Sequence, residues 1–113
     1  MNIKTGVNTK NCSPQIWYAT GVAEQVYHRY GYEFTITSMR DGTHFLKSKH
    51  YSGNAFDCRT RHLSLPTARL IFMELRKLLD PFGFDTVDEM ETKSHIHVEF
   101  DPKAGEEWLT TVS

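Results

Sequence analysis

The sequence predicts an α+β domain: an antiparallel sheet with helices packed on one side. Three observations lead there. Two segments repeat apolar residues at helical spacing, several short segments read as strands, and the two kinds mix without the regular alternation of a parallel α/β fold. A chain of 113 residues also suits one domain, 1–113, with one modest core.

Residues 1–12 read as an irregular start. Ser13-Pro14 reads as a helix N-terminus, with Ser as cap and Pro in the first turn. Ala19, Val22, Ala23, Val26, Tyr27 and Tyr30 then form an apolar stripe, and Gly31 stops the helix. Residues 32–38 alternate, with Phe34 and Ile36 on one side and Glu33, Thr35 and Thr37 on the other. Arg40-Asp41-Gly42-Thr43 is a turn, 43–53 is loop-like, and 54–59 is a second strand. In that strand Ala55 and Asp57 share one face, Phe56 and Cys58 the other. Pro66 opens a helix over 66–80 whose buried stripe is Ala68, Ile71, Phe72, Leu75, Leu78 and Leu79. Asp80-Pro81 and Gly83 end it, and 84–87 reads as a short strand. Residues 95–100 are a strand with His95, His97 and Glu99 on one face and Ile96, Val98 and Phe100 on the other.

Composition narrows the function classes. Thirteen basic and 14 acidic residues give a formal net charge of −1, and Lys and Arg are spread along the chain. A nucleic-acid partner, which draws a basic surface, is not expected. No apolar run is long enough for a membrane span, so no membrane partner is expected either. The first residues lack the apolar core of a secretory signal, which predicts synthesis in the cytosol. Cys12 and Cys58 are isolated thiols, and in that compartment no disulfide is expected. The oligomeric state is not legible.

Two stretches concentrate chemistry. Ser48-Lys49-His50-Tyr51-Ser52-Gly53-Asn54-Ala55-Phe56-Asp57 supplies a histidine and a carboxylate with a glycine turn between them. His95-Ile96-His97-Val98-Glu99 supplies further histidines on a strand. His50, Asp57 and His97 make a three-ligand set suited to a catalytic zinc, which prefers imidazole, accepts carboxylate and keeps a fourth position open. Gly53 permits the turn that lets His50 and Asp57 converge. A strand rung beside 54–59 would bring His97 to them, and sheet-mounted ligands are stiff. On spacing alone, a chance coincidence of histidine and aspartate remains the competing reading.

The pattern Ser-x-His-x-x-Gly-x-Ala-x-Asp resembles the signature of the zinc D-Ala-D-Ala carboxypeptidases and their L-Ala-D-Glu endopeptidase relatives. These belong to the wider lysostaphin/DD-peptidase/Hedgehog group of metallopeptidases. Ser48, His50, Gly53, Ala55 and Asp57 match it. His97-Val98-Glu99-Phe100 is similar to the strand carrying that family's last ligand, and Phe34-Thr35-Ile36-Thr37-Ser38 with Arg40 to its preceding strand and arginine. The resemblance spans most of the chain. It implies a Hedgehog/DD-peptidase-like fold, Zn2+ on His50, Asp57 and His97, and hydrolysis of peptidoglycan stem peptides. It also implies that Arg40 and Ser48 contact substrate near its terminal carboxylate, a role suited to a two-pronged guanidinium. The competing reading of Arg40 is a solvated turn residue.

The chain departs from the family at one position. A carboxylate three residues before the last histidine acts there as general base, and here that residue is Ser94. Serine is no base at neutral pH without help. Three readings follow. Glu91 reaches in from the loop before the strand, ahead of Asp88 and Glu89; His95 carries the proton, since its free pKa lies near neutrality; or the protein binds zinc without efficient hydrolysis, as a structural or interaction module. Glu99 is expected to orient a ligand histidine. His44 is expected at the surface, His28 and His62 as structural or exposed, and Trp17 and Trp108 in packing. Small size without a signal or wall-binding module suggests a phage or mobile-element protein, released by lysis or carried in a virion.

Overall fold

The computed structural model describes residues 1–40 and 53–102. In chain order the elements are β1 (Asn2–Ile3), α1 (Pro14–Arg29), β2 (Thr35–Ser38), β3 (Ala55–Arg59), α2 (Leu65–Leu79), a 3-10 turn (Asp80–Phe82), β4 (Phe84–Glu89), α3 (Met90–Lys93) and β5 (His95–Phe100). The class is α+β, and the strands form one five-stranded sheet in the order β1-β2-β3-β5-β4.

The helix starts follow capping chemistry. The Ser13 side chain accepts from the Ile16 amide and the Ser64 side chain from the Thr67 amide, each with Pro in the following turn. Ile16, Ala19, Ala23, Val26 and Tyr27 of α1 and Ala68, Ile71, Leu75 and Leu79 of α2 are buried. They pack in one core with Phe56, Cys58, Ile96 and Val98. Tyr30 and Leu78, expected on these stripes, are exposed, because each lies at the margin of its helix's buried arc. Leu75 is fully buried, so Leu75→Ala is expected to lower unfolding free energy by about 2–5 kcal/mol in a denaturant titration.

The sheet corrects one expectation. It is mixed rather than antiparallel, because β1 pairs parallel to β2 through Asn2↔Thr35 and Ile3↔Ile36. The expected irregular start therefore contains a strand. Parallel neighbours need a crossover, and α1 supplies it. The other pairs are antiparallel, with Asp57 opposite His97 and Arg59 opposite His95 between β3 and β5.

Two backbone features shape the region around Asp57. Gly53 has φ of 74°, and a Cβ there would meet the Asn11 carbonyl oxygen at 2.5 Å. Only glycine satisfies both demands at the entry to β3. The β2–β3 register shifts between Ile36↔Cys58 and Ser38↔Asp57, a bulge in β2. A bulge breaks alternation, which lets the consecutive Thr37 and Ser38 both line the groove at Asp57.

The face of the sheet away from the core is polar. Period two puts Asp57 and Arg59 of β3, Asp85, Val87 and Glu89 of β4, and His95, His97 and Glu99 of β5 on it together. Cys58 lies on the core side, where burial pushes its thiol up to about 12, an inert state at neutral pH. No helix among the described residues is long and apolar enough to cross a membrane.

Candidate metal centre

Asp57, Glu89 and His97 form a group that could hold a metal ion: each offers a ligand atom within 4.8 Å of the others. Three different strands supply them, through the cross-strand pairs Asp57↔His97, His97↔Val87 and His95↔Glu89. The sheet thus fixes the group without any loop.

His97 sits between two carboxylates. Its Nδ1–H donates to Asp57 Oδ1 at 2.8 Å and its Nε2–H to Glu99 Oε1 at 2.9 Å. Burial by itself would lower the His97 pKa, but the hydrogen bonds and charges of Asp57 and Glu99 outweigh it and push the ring up to about 9. The imidazolium is thus the cation that balances the buried Asp57 and the half-buried Glu99. Asp57 is only 5% exposed, and carboxylates are rarely that buried unless paired or ligating.

His95 completes the row. Its Nε2 lies 3.0 Å from Glu89 Oε1 and 3.6 Å from Asp57 Oδ2. Burial would raise the Glu89 carboxyl, yet the hydrogen bonds from His95 and Lys93 bring it below its ordinary value. Glu89 is therefore ionised at neutral pH, able to accept a proton or bind a cation.

The structure brings together Asp57, His97 and His95 among the residues singled out in the sequence, with Glu99 on His97 as expected for an orienting acceptor. It does not bring in Glu91. The short helix α3 aims that side chain at Arg69 of α2, 3.1 Å away, and it is 71% exposed. Glu89 is the acid beside the histidines instead. Arg40 is tied to the N-terminal segment: its amide donates to the Asn8 carbonyl at 2.9 Å and its guanidinium to the Lys10 carbonyl at 3.4 Å. His62 is structural, stacked on Tyr27 and bonded to the Glu33 carbonyl. His50 and Ser48, with His44 and Trp108, lie outside the described residues.

Ser94 caps α3 with φ of 57°, and its carbonyl accepts from the Thr60 amide. The residue also lines the polar groove beside Asp57 and His95.

A cavity of about 640 Å³ lies elsewhere, between α1 and the end of α2, lined by Tyr18, Val22, Leu78 and Phe82 among others. It is largely apolar, and no carboxylate is among its lining residues. A polar cavity of about 430 Å³ reaches Asp57 and His95 and so joins the candidate centre.

No family model, curated protein or solved structure matches this chain.

Proposed function

We propose that the protein is a zinc-dependent peptidase acting on peptidoglycan stem peptides, with a Hedgehog/DD-peptidase-like fold. One observation supports the reading: Asp57 of the signature and His97 of the similar last-ligand strand, distant in sequence, face each other across β3 and β5 with Nδ1 and Oδ1 2.8 Å apart. The donor set fits zinc, which takes imidazole and carboxylate together. Asp57 and His97 would hold the ion, with His50 as the third ligand that the signature supplies. Bound there, zinc supplies a Lewis acid for the scissile carbonyl and lowers the pKa of water.

The chain's own groups do the rest. Glu99 anchors the Nε2–H of His97, which leaves Nδ1 as the ligating nitrogen. Glu89 Oε1 takes a proton from the attacking water and returns it to the leaving amine as the C–N bond breaks. His95, hydrogen-bonded to that oxygen, holds the carboxylate in place. Thr37 and Ser38 of the bulged β2 and the polar groove beside Asp57 offer hydrogen-bonding groups to an extended peptide.

The test joins zinc quantification to digestion of purified peptidoglycan, with mass analysis of the released fragments. Expected are about one zinc per chain and shortened stem peptides, both lost on chelation and restored by zinc. Protein that takes up no zinc refutes the proposal. The second reading, a metal-binding module without hydrolysis, draws on Ser94; zinc uptake with no released fragment would favour it.

A further inference from the structure

We propose that the groove beside Asp57, walled by Lys4, Arg59, Arg61 and Lys93, is a subsite for a carboxylate of the peptide substrate. The inference rests on the peptidase reading for the substrate's class, and on the groove itself for the charge it selects.

The cations come from four places. Lys4 follows β1, and its amide donates to the Ile36 carbonyl on β2. Arg59 lies on β3, on the same face as Asp57 and directly opposite His95. Arg61 follows β3, and Lys93 ends α3. All four line the cavity of about 430 Å³ that Asp57 and His95 also line, so the basic wall is continuous with the candidate centre.

Acids offset this charge only in part: Asp57, the carboxylate in the lining, is paired with His97. Lys93 pairs with Glu89 at 3.2 Å. Lys4, Arg59 and Arg61 make no ion pair with any described residue. The whole chain carries a formal charge of −1, so this concentration is no by-product of a basic protein. Unpaired like charges around one concavity repel each other, and an anion entering it relieves that repulsion.

A carboxylate suits the groove. Guanidinium groups bind it in a two-pronged, charge-assisted way, and the Thr37 and Ser38 hydroxyls presented by the bulge can donate beside them. Stem peptides carry several carboxylates, so an acidic group away from the scissile bond would seat here. The subsite is separate from Arg40, whose guanidinium is engaged by the Lys10 carbonyl.

The experiment compares two labelled stem pentapeptides, one with free carboxylates and one with every carboxylate amidated. Fluorescence anisotropy measures their affinity for the native protein, for R59Q/R61Q and for R61Q alone. Arg61 is exposed and outside the strands, so the single variant keeps the test valid if the double one misfolds. The native protein is expected to prefer the acid by about tenfold or more. The preference should fall below about threefold in R59Q/R61Q, with part of the loss in R61Q, while zinc content and the circular dichroism spectrum stay unchanged. Equal affinities for the two peptides in the native protein, or a preference that survives both variants, overturns the subsite. So does displacement by inorganic phosphate when the acid peptide binds no better than the amide. Zinc content is read in the same samples. An acid preference in protein that takes up no zinc leaves the groove standing and removes the peptidase; normal zinc uptake with no preference does the reverse.

Discussion

His97→Ala is expected to abolish tight zinc binding. His97 is the hinge of the candidate centre, bonded to Asp57 at 2.8 Å and to Glu99 at 2.9 Å. Without it Asp57 loses its imidazole partner, His95 is already bonded to Glu89, and too few ligands remain to close a tetrahedral shell. Chelator competition should show affinity weaker by more than about 100-fold, the upper end of what losing a supporting residue costs. Glu99→Ala, which removes the acceptor that anchors Nε2, should cost about 10–100-fold. His50→Ala should match His97→Ala if the signature assigns the third ligand correctly. Unchanged zinc in His97→Ala would end the metal proposal.

The same residue sets a pH signature. The His97 ring is pushed up to about 9 from an ordinary 6.5. In metal-free protein its pairing contributes stability that is complete below pH 6.5 and is lost as pH rises through 9. Zinc must displace that proton, so its apparent affinity climbs through the same window. The thermal shift produced by zinc should therefore widen from pH 6.5 toward 9.

Much of this was legible because the informative residues obey short-range rules. Ser13-Pro14, by cap and proline, and Pro66, by its fixed φ, announce helices without any knowledge of the tertiary fold, and the structure adds Ser64 as the second cap. The period-two pattern of 95–100 put His95, His97 and Glu99 on one face, and the observed β5 keeps it. What was hidden depends on partners. A two-residue strand has no period, so β1 and its parallel pairing exist only because α1 carries the chain back beside Phe34 and Ile36. The strand expected over 84–87 runs on to Glu89. Those two further residues decide which acid meets the histidines, since Asp85, Val87 and Glu89 continue one alternation and Glu91 falls on α3 instead. The basic wall was invisible for a similar reason. Lys4, Arg59, Arg61 and Lys93 look scattered along the chain, and only the sheet order gathers them.

Glu89→Gln is the substitution expected to separate chemistry from binding. Glu89 Oε1 lies 3.0 Å from His95 Nε2, and the carboxyl is held below its ordinary pKa, so it is ionised and available as a proton acceptor. Glutamine keeps the size and one acceptor oxygen but cannot take the proton. Zinc content should remain near the parent's, while hydrolysis falls by roughly 10²–10⁴, the usual worth of a general base. Glu91→Gln, at a side chain committed to Arg69, should leave the rate within about twofold, as expected for an exposed ion pair remote from the reaction. A loss of zinc in Glu89→Gln would instead make Glu89 a ligand, in keeping with its place within 4.8 Å of the Asp57 and His97 donor atoms. Full activity in Glu89→Gln with none in His95→Ala would move the proton transfer to His95. Both alternatives involve the same polar row across β3, β5 and β4, which is why the three substitutions belong in one experiment.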